Sequence, residues 1–275
     1  HLAGHTCRQC HGFTLLLMET INTRYSWKTG DRIIQVNGLN SHIDGKQILT
    51  DISMEARMGE ITAILGSSGS GKTTLLKHLL GIYPSAGKEV EVLGRNPSEL
   101  EETDEVQFYQ DIGVLYQEGA LLNSLTVGEN IGLPLEQHSK PPAELIERIV
   151  RLRLQLVGLG DVYHSLPSQL SAGMLKRAAL ARAIVMDPVV LFCDEPGAGL
   201  DPVTLSQLDQ LILNLQKLLG MTVIMVTHEV NSIRRMADRV VFLEKGQAIF
   251  RGTLAEALKS PLPSLQEFFA RGDDA

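Results

Sequence analysis

A chain of 275 residues is long enough for one large or two small domains around a substantial buried core. With 44% hydrophobic and 21% charged residues its composition is that of an ordinary globular protein, and a formal net charge of −7 argues against a partner gripped through nucleic-acid phosphates. No apolar run approaches the 18 residues of a membrane-crossing helix, so a role at a membrane calls for a separate partner.

Residues 1–31 read as an N-terminal extension. Within it, 1–17 ("HLAGHTCRQCHGFTLLL") precede Met18, where "METINTRYSW" has the look of a natural beginning, so 1–17 are set aside as non-native or disordered. The letters "CRQCH", with Cys7 and Cys10, match a haem-attachment string. That chemistry needs an extracytoplasmic compartment, and "GFTLLLM" is too short for an export signal, so no haem is expected. The third cysteine, Cys193, sits in an apolar run and reads as a small core residue.

From Arg32 to Glu60 apolar and polar residues alternate between Gly and Asp punctuation, which predicts short antiparallel strands. Residues 61–65 ("ITAIL") predict a buried strand, and 72–83 a helix ended by Gly81 and Pro84. A hairpin-like strand pair follows at 87–97, an acidic helix at 98–111 and a strand at 112–117. From 118 to 184 the texture turns helical, with helices in 126–135, 141–159 and 175–186. Strands return at 189–196, 222–228 and 239–253, with a helix at 202–220 between the first two. This order predicts an α/β core made of 32–117 and 185–258, interrupted by a helical block at 118–184. The tail 259–275 is broken by prolines, and Phe268 and Phe269 are expected to cover the core edge. Arg148, Arg151 and Arg153 read as one solvated helix face, and Arg234 and Arg235 follow a helical pattern. No catalytic role is expected of any of them.

The chemistry is carried by "GSSGSGKT" (66–73), which fits G-x-x-x-x-G-K-[ST] between a strand and a helix. Gly66, Gly69 and Gly71 let the backbone turn so that the N–H groups of a loop with Ser67, Ser68 and Ser70 face one concavity. The helix that starts at Lys72, Thr73 and Thr74 adds its positive end. Lys72 is placed for the β- and γ-phosphates of a nucleoside triphosphate, and the Thr73 hydroxyl for Mg²⁺. Downstream, "VVLFCDE" (189–195) ends an apolar strand in two carboxylates. Asp194 is expected beside the metal, and Glu195 to take a proton from the attacking water.

With these pieces placed, the sequence resembles the ATPase subunits of ABC transporters from Arg32 to about Thr253. The resemblance implies a P-loop NTPase fold: a RecA-like core with an antiparallel β subdomain and an inserted helical signature subdomain. It implies that Gln117, in "VLYQEGALL", links core to helical subdomain and reaches the metal. It implies that Ser171, Ala172 and Gly173, in "LSAGM", cap the γ-phosphate of a partner's ATP. Asp201, closing "AGLD", is expected at a dimer interface, and His228, in "VTHEV", is expected to touch the γ-phosphate and hold water. From the residues alone, Ser171 can cap a helix while Ala172 and Gly173 leave its first N–H groups uncovered, which suits either an ordinary cap or an anion site. His42 stands near the place where the family stacks an aromatic ring on adenine, but a lone loop histidine reads first as a solvated residue.

Most of the family reads LSGGQ, where this chain has Ala172 and Met174. The string "SAGMLKRAALARAIVMDPVVLFCDEPGAGLDPVT" is most similar to the ATPases of Mce-type phospholipid transport systems, which carry Gly-Met followed by a basic pair. That likeness implies a homodimer using ATP and Mg²⁺, peripheral on the cytoplasmic face of the bacterial inner membrane. It implies an integral-membrane permease, with an Mce-domain substrate-binding protein and a STAS-domain subunit as further partners, and no nucleic acid. The segment 118–135 suits either a permease coupling helix or the core of the helical block. An ABC transporter ATPase for a lipoprotein, amino acid or drug, and a non-transport ABC ATPase, are the alternative readings.

Overall fold

The computed structural model describes residues 27–270. Residues 1–17, the Cys7–Cys10 string, the start at Met18 and Tyr25 lie outside the described residues.

Strands β1 (Arg32–Ile43) and β2 (Lys46–Arg57) pair antiparallel, and the short β4 (Val90–Val92) joins the other side of β1. β1 and β2 run to 12 residues each, longer than the short strands predicted. Irregular register along the pair absorbs the punctuation at Gly38 and Asn40. The predicted hairpin at 87–97 is reduced to β4 and a single bridge from Val92 to Arg95, because β4 spends its hydrogen bonds on β1.

The larger sheet has the order β5-β6-β7-β3-β8-β9. Its strands are β3 (Ile61–Gly66), β5 (Ile112–Leu115), β6 (Val190–Asp194), β7 (Thr222–Val226), β8 (Arg239–Glu244) and β9 (Gln247–Thr253). All pairs are parallel except β8 with β9. β3 and β7 are buried at every position, the pattern of central parallel strands covered on both faces. The register places Ile64 opposite Val226, Val226 opposite Asp194, and Gly66 opposite Leu243. The carboxyl ends of β3, β6 and β7 therefore finish on one edge, where ligands of open α/β sheets bind.

Helix α1 (Lys72–Leu79) follows β3, and α2 (Glu102–Gln110) precedes β5. α1 stops short of the predicted Tyr83 because Gly81 turns left-handed (φ 71°) and its backbone presses on Pro97. Helices α3 (Val127–His138), α4 (Ala143–Leu156) and α5 (Ala172–Ala183) pack on one another between β5 and β6 in the chain. α3 opens with a reciprocal cap between Thr126 and Glu129. Beneath it the fully buried Asn130 amide donates to the carbonyls of Leu122, Leu125 and Thr126 and accepts from the Leu122 N–H, which knits the preceding loop. Within 118–135, Val127, Ile131 and Leu135 point inward, while Leu122 is exposed.

α6 (Pro202–Leu219) leads to β7, and α7 (Val230–Met236) links β7 to β8. The tail is more regular than its prolines predicted: α8 (Leu254–Leu258) and α9 (Pro263–Ala270) bury Leu265, Phe268 and Phe269 against β3 and β8. Three apolar clusters result among the described residues. One lies under the antiparallel strands and α1, one between sheet and helical block, and one under the tail. Cys193 is fully buried in the second, and burial pushes its thiol up to about 12.

The arginine readings need correction. Arg148 is exposed, but Arg153 is buried and ion-paired with Asp187 after α5. Val150 and Leu154 carry that face of α4 into the core, and Arg153 travels with them. Arg151 lies over the Tyr163 ring and pairs with Glu147. Arg235 on α7 makes a two-donor contact to the buried Asp209 of α6, so it ties two elements together. Among the described residues, no helix is long and apolar enough to cross a membrane.

Candidate active site

A cleft of about 700 Å³ opens at the edge where β3, β6 and β7 end. One wall is the glycine-rich loop. Gly66 is compulsory there, since a Cβ would stand 2.2 Å from the Leu243 carbonyl oxygen and 2.6 Å from Ser70 Oγ. Gly71, left-handed at φ 101°, caps α1 without a side-chain acceptor, so the first N–H groups of the helix stay open toward the cleft. Ser67, Ser68 and Gly69 line the cavity, whereas Ser70 is turned inward with its hydroxyl buried and without a hydrogen-bond partner. Thr73 lines the cleft; Thr74 stands beside it in the first turn of α1 without lining the cavity.

Lys72 reaches back over the loop, its Nζ donating to the carbonyls of Gly66 (2.9 Å) and Ser67 (3.0 Å). Burial pushes its ammonium below the usual lysine range, against the pull of Glu195 and Asp194. The same burial, with Glu195 adjacent, raises the Asp194 carboxyl, which Lys72 and Lys77 oppose. A half-buried cation faces a half-buried carboxylate across an opening suited to phosphate and a hard cation. Thr73, Asp194 and Gln117 present oxygens to one cavity, a donor set that fits Mg²⁺.

Glu195 is held in the left-handed region (φ 45°) by its N–H, which donates to the Val226 carbonyl at 2.8 Å. Strain of this kind is retained where the surroundings over-determine it. Nδ1 of His228 stands 2.9 Å from both oxygens of the Glu195 carboxylate, with Oε1 in hydrogen-bond geometry and Oε2 buried. The carboxylate is 15% exposed and the imidazole 61%, so Glu195 sits at the floor and His228 at the rim. Gln117, exposed after β5, lines the facing side.

The structure thus brings Gly66, Ser67, Ser68, Gly69, Lys72, Thr73, Gln117, Asp194, Glu195 and His228 into one cleft. It places Ser171, Ala172, Gly173 and Asp201 elsewhere, and next to one another. Ser171 Oγ caps α5 by accepting from the Met174 N–H at 3.3 Å. Asp201 caps α6, accepting from the N–H groups of Val203 and Thr204 at 3.0 Å, and bonds with Thr204 hold its carboxyl below the usual range. Gly173 and Thr204 meet so closely that a Cβ on Gly173 would stand 2.6 Å from Thr204 Cγ2. The backbone at Ala172 is not left-handed, so alanine sits there without backbone strain. His42 lies on β1 opposite Gln47 and does not line the cleft.

The sequence reading missed a third wall. Ser264, Glu267 and Phe268 of α9 line the cleft beside His228. The apolar spacing of Leu265, Phe268 and Phe269 carried the signal for that helix, and the prolines around it obscured it.

Comparison with known proteins agrees with this geometry. The family model for ABC transporters matches residues 49–198. The chain is 36% identical over 235 residues to a probable ribonucleotide transport ATP-binding protein of Mycobacterium leprae, covering 86% of this chain and 68% of that one. It is 36% identical over 238 residues to the methionine import ATP-binding protein of Geobacillus kaustophilus, covering 86% and 69%. It spans about two thirds of the length of these relatives. Among solved structures, the cbiO1 subunit of a Clostridium perfringens ABC transporter complex superposes with a TM-score of 0.76 at 31% identity, covering 84% of this chain and 92% of that one. The dimeric cassette MJ0796, bound to ADP and Pi in a post-hydrolysis state, gives 0.71 at 27% identity over 80% and 98%. A P-loop cleft with an acid pair at its floor, on this sheet order and among these relatives, is that of an ATP-hydrolysing cassette, and the chain belongs to the ABC transporter family.

Proposed function

We propose that the chain is the energising subunit of a bacterial phospholipid transporter, working as a homodimer on a separate permease. The observation that carries the dimer is the division of the nucleotide-binding residues between two surfaces. Ser171, Ala172, Gly173 and Asp201 stand outside the cleft that holds Lys72 and Glu195, so a complete site calls for a second copy. In this reading the loop Gly66–Gly71, with Lys72 and Thr74, cradles the phosphates. Thr73, Asp194 and Gln117 hold Mg²⁺, which when bound neutralises charge on the β- and γ-phosphates. Glu195, its carboxylate held by His228, takes the proton of the attacking water. The open N-terminus of α5, capped by Ser171, meets the γ-phosphate bound by the partner chain.

Force leaves the cleft through Gln117 to the helical block 118–184, with 32–117 and 185–258 acting as the nucleotide core. A groove of about 590 Å³ between β5, α2, α3 and α5 supports a permease helix there. Ile82 and Tyr116 are exposed in it, and Leu133 and Pro134 from 118–135 form one side. The permease would hold the chain on the cytoplasmic face of the inner membrane, with Mce-domain and STAS-domain proteins as companions. Phospholipid as cargo rests on Met174 followed by Lys176 and Arg177. The relatives named for ribonucleotide and methionine keep other cargoes open as the second reading.

The test is a detergent pull-down of the tagged chain from its native membranes, with proteins and lipids identified by mass spectrometry. A permease with an Mce-domain protein and enriched phospholipid is the expected result. A permease without either would keep the ATPase and remove the lipid assignment.

A further inference from the structure

The basic residues after Met174 have no place in the phosphate chemistry, yet two cations of α5 are drawn out of water. Lys176 is 7% exposed and Arg182 is half-buried. Among the described residues, neither meets a carboxylate in a close ion pair. Both are spent on the backbone of the loop that follows β5. Lys176 Nζ donates to the Gln117 carbonyl. The Arg182 guanidinium donates to the carbonyls of Gly119 at 2.9 Å and Ala120 at 2.7 Å.

That loop needs external support. Gly119 (φ 74°) and Ala120 (φ 50°) are both left-handed, so the chain from Gln117 to Ala120 forms neither helix nor strand. Its backbone lies flat on α5: a Cβ on Gly119 would touch the Ala179 methyl at 3.3 Å. Lys176, Ala179 and Arg182 follow at intervals of three along the helix, so the loop rides across adjacent turns. Burial pushes both cations below their usual ranges, with Glu118 pulling Lys176 back and Tyr116 pulling Arg182 back. A desolvated cation is tolerated when its donors meet acceptors, and charge-assisted bonds to carbonyls are the strong kind.

The loop begins with the one residue that reaches the cleft from this side. Holding the Gln117 carbonyl fixes the backbone of a residue that lines the cleft together with Thr73 and Asp194. We propose that Lys176, braced by Arg182, is a positioning residue for Gln117, acting through the loop backbone and never on the nucleotide. Because α5 starts at Ser171, the same helix joins the surface offered to the partner's γ-phosphate to the glutamine of its own cleft. Arg177, bonded to Gln207 on α6 at 2.9 Å, ties that helix to the Asp201 cap as well. The inference rests on the reading of Gln117 given above.

The test is a double-mutant cycle on the full chain with Lys176→Met, Gln117→Ala and both together. Steady-state ATPase is measured against ATP and against Mg²⁺, with thermal unfolding of each variant. Lys176→Met is expected to lower kcat about tenfold, ~1.4 kcal/mol on the barrier, to raise the Mg²⁺ needed for half-activity, and to leave KM for ATP near its original value. In the Gln117→Ala background the same change is expected to cost nothing further. Lys176→Arg, which keeps the cation, is expected to recover most of kcat. Additive losses, or a loss carried by KM, would overturn the positioning role while the Gln117 reading stands. Wild-type kcat in Gln117→Ala would sink both. Should Lys176→Met fail to fold, Arg182→Met, which removes the bonds to Gly119 and Ala120, carries the same cycle with the same outcomes.

Discussion

Glu195 combines a strained backbone with a carboxylate that is 15% exposed and held by His228, an arrangement that suits the proton transfer proposed for it. Glu195→Gln keeps the shape and the His228 contact but cannot take a proton. Phosphate release is expected to fall by about 10²–10⁴, the range for a lost general base, with ATP binding retained. Gly66 is governed by space. In Gly66→Ala the new Cβ meets a backbone carbonyl that belongs to β8 and cannot swing away. A loss of about 3 kcal/mol, the top of the range for overpacking, is expected in denaturant unfolding, together with lost nucleotide binding. The loop itself was legible in the sequence because its requirements are local: glycines for turns, then a lysine at a helix start. The His228–Glu195 contact joins residues 33 apart and depends on β6 and β7 being neighbours.

Between elements, buried charge does the coupling. Arg235 on α7 holds the 1%-exposed Asp209 of α6, so the helix that follows His228 is fastened to the helix that starts at Asp201. Arg235→Ala strands that carboxylate, at an expected cost of about 3 kcal/mol, the low end for a pair with one partly exposed member. Burial raises the Asp209 carboxyl, with the hydrogen bonds and charge of Arg235 opposing the rise. Removing Arg235 takes away one opposing pull, so the carboxyl rises further. A raised carboxyl contributes stability when protonated and loses it as pH rises through the folded value. The deficit of the variant is therefore full where Asp209 is ionised and narrows as pH falls into the carboxylate range. Urea midpoints for both proteins at neutral and acid pH measure it; a deficit that widens in acid would contradict the account. Periodicity placed these helices correctly, yet it assigns Arg153 to a solvated face and is silent on what Arg235 meets, because periodicity reports a face, not what the face meets.

At the level of the whole molecule, a site divided between two surfaces makes a prediction by complementation. Ser171→Asp keeps an N-cap acceptor for Met174 but sets a carboxylate against an incoming phosphate. Lys72→Ala removes the cation from the cradle. Each homodimer is expected to be inactive. A mixed dimer holds one cleft with Lys72 facing one intact Ser171 turn, so mixing the two proteins is expected to restore turnover. No recovery on mixing, with both variants folded, would argue that each chain hydrolyses ATP alone.

The amino-acid sequence by itself determined the phosphate cradle, the acid pair, the alternation of strands and helices and the helical interruption, because each rests on neighbours along the chain. It could not determine the strand order β5-β6-β7-β3-β8-β9, which sets Asp194 two strands from Gly66 and brings His228 onto Glu195. Nor could it reveal that Lys176 spends its charge on a carbonyl 59 residues away, or that α9 closes one wall of the cleft. Those contacts exist only once the core has collapsed. The free energy of taking a cation or a carboxylate out of water depends on what the folded chain places around it.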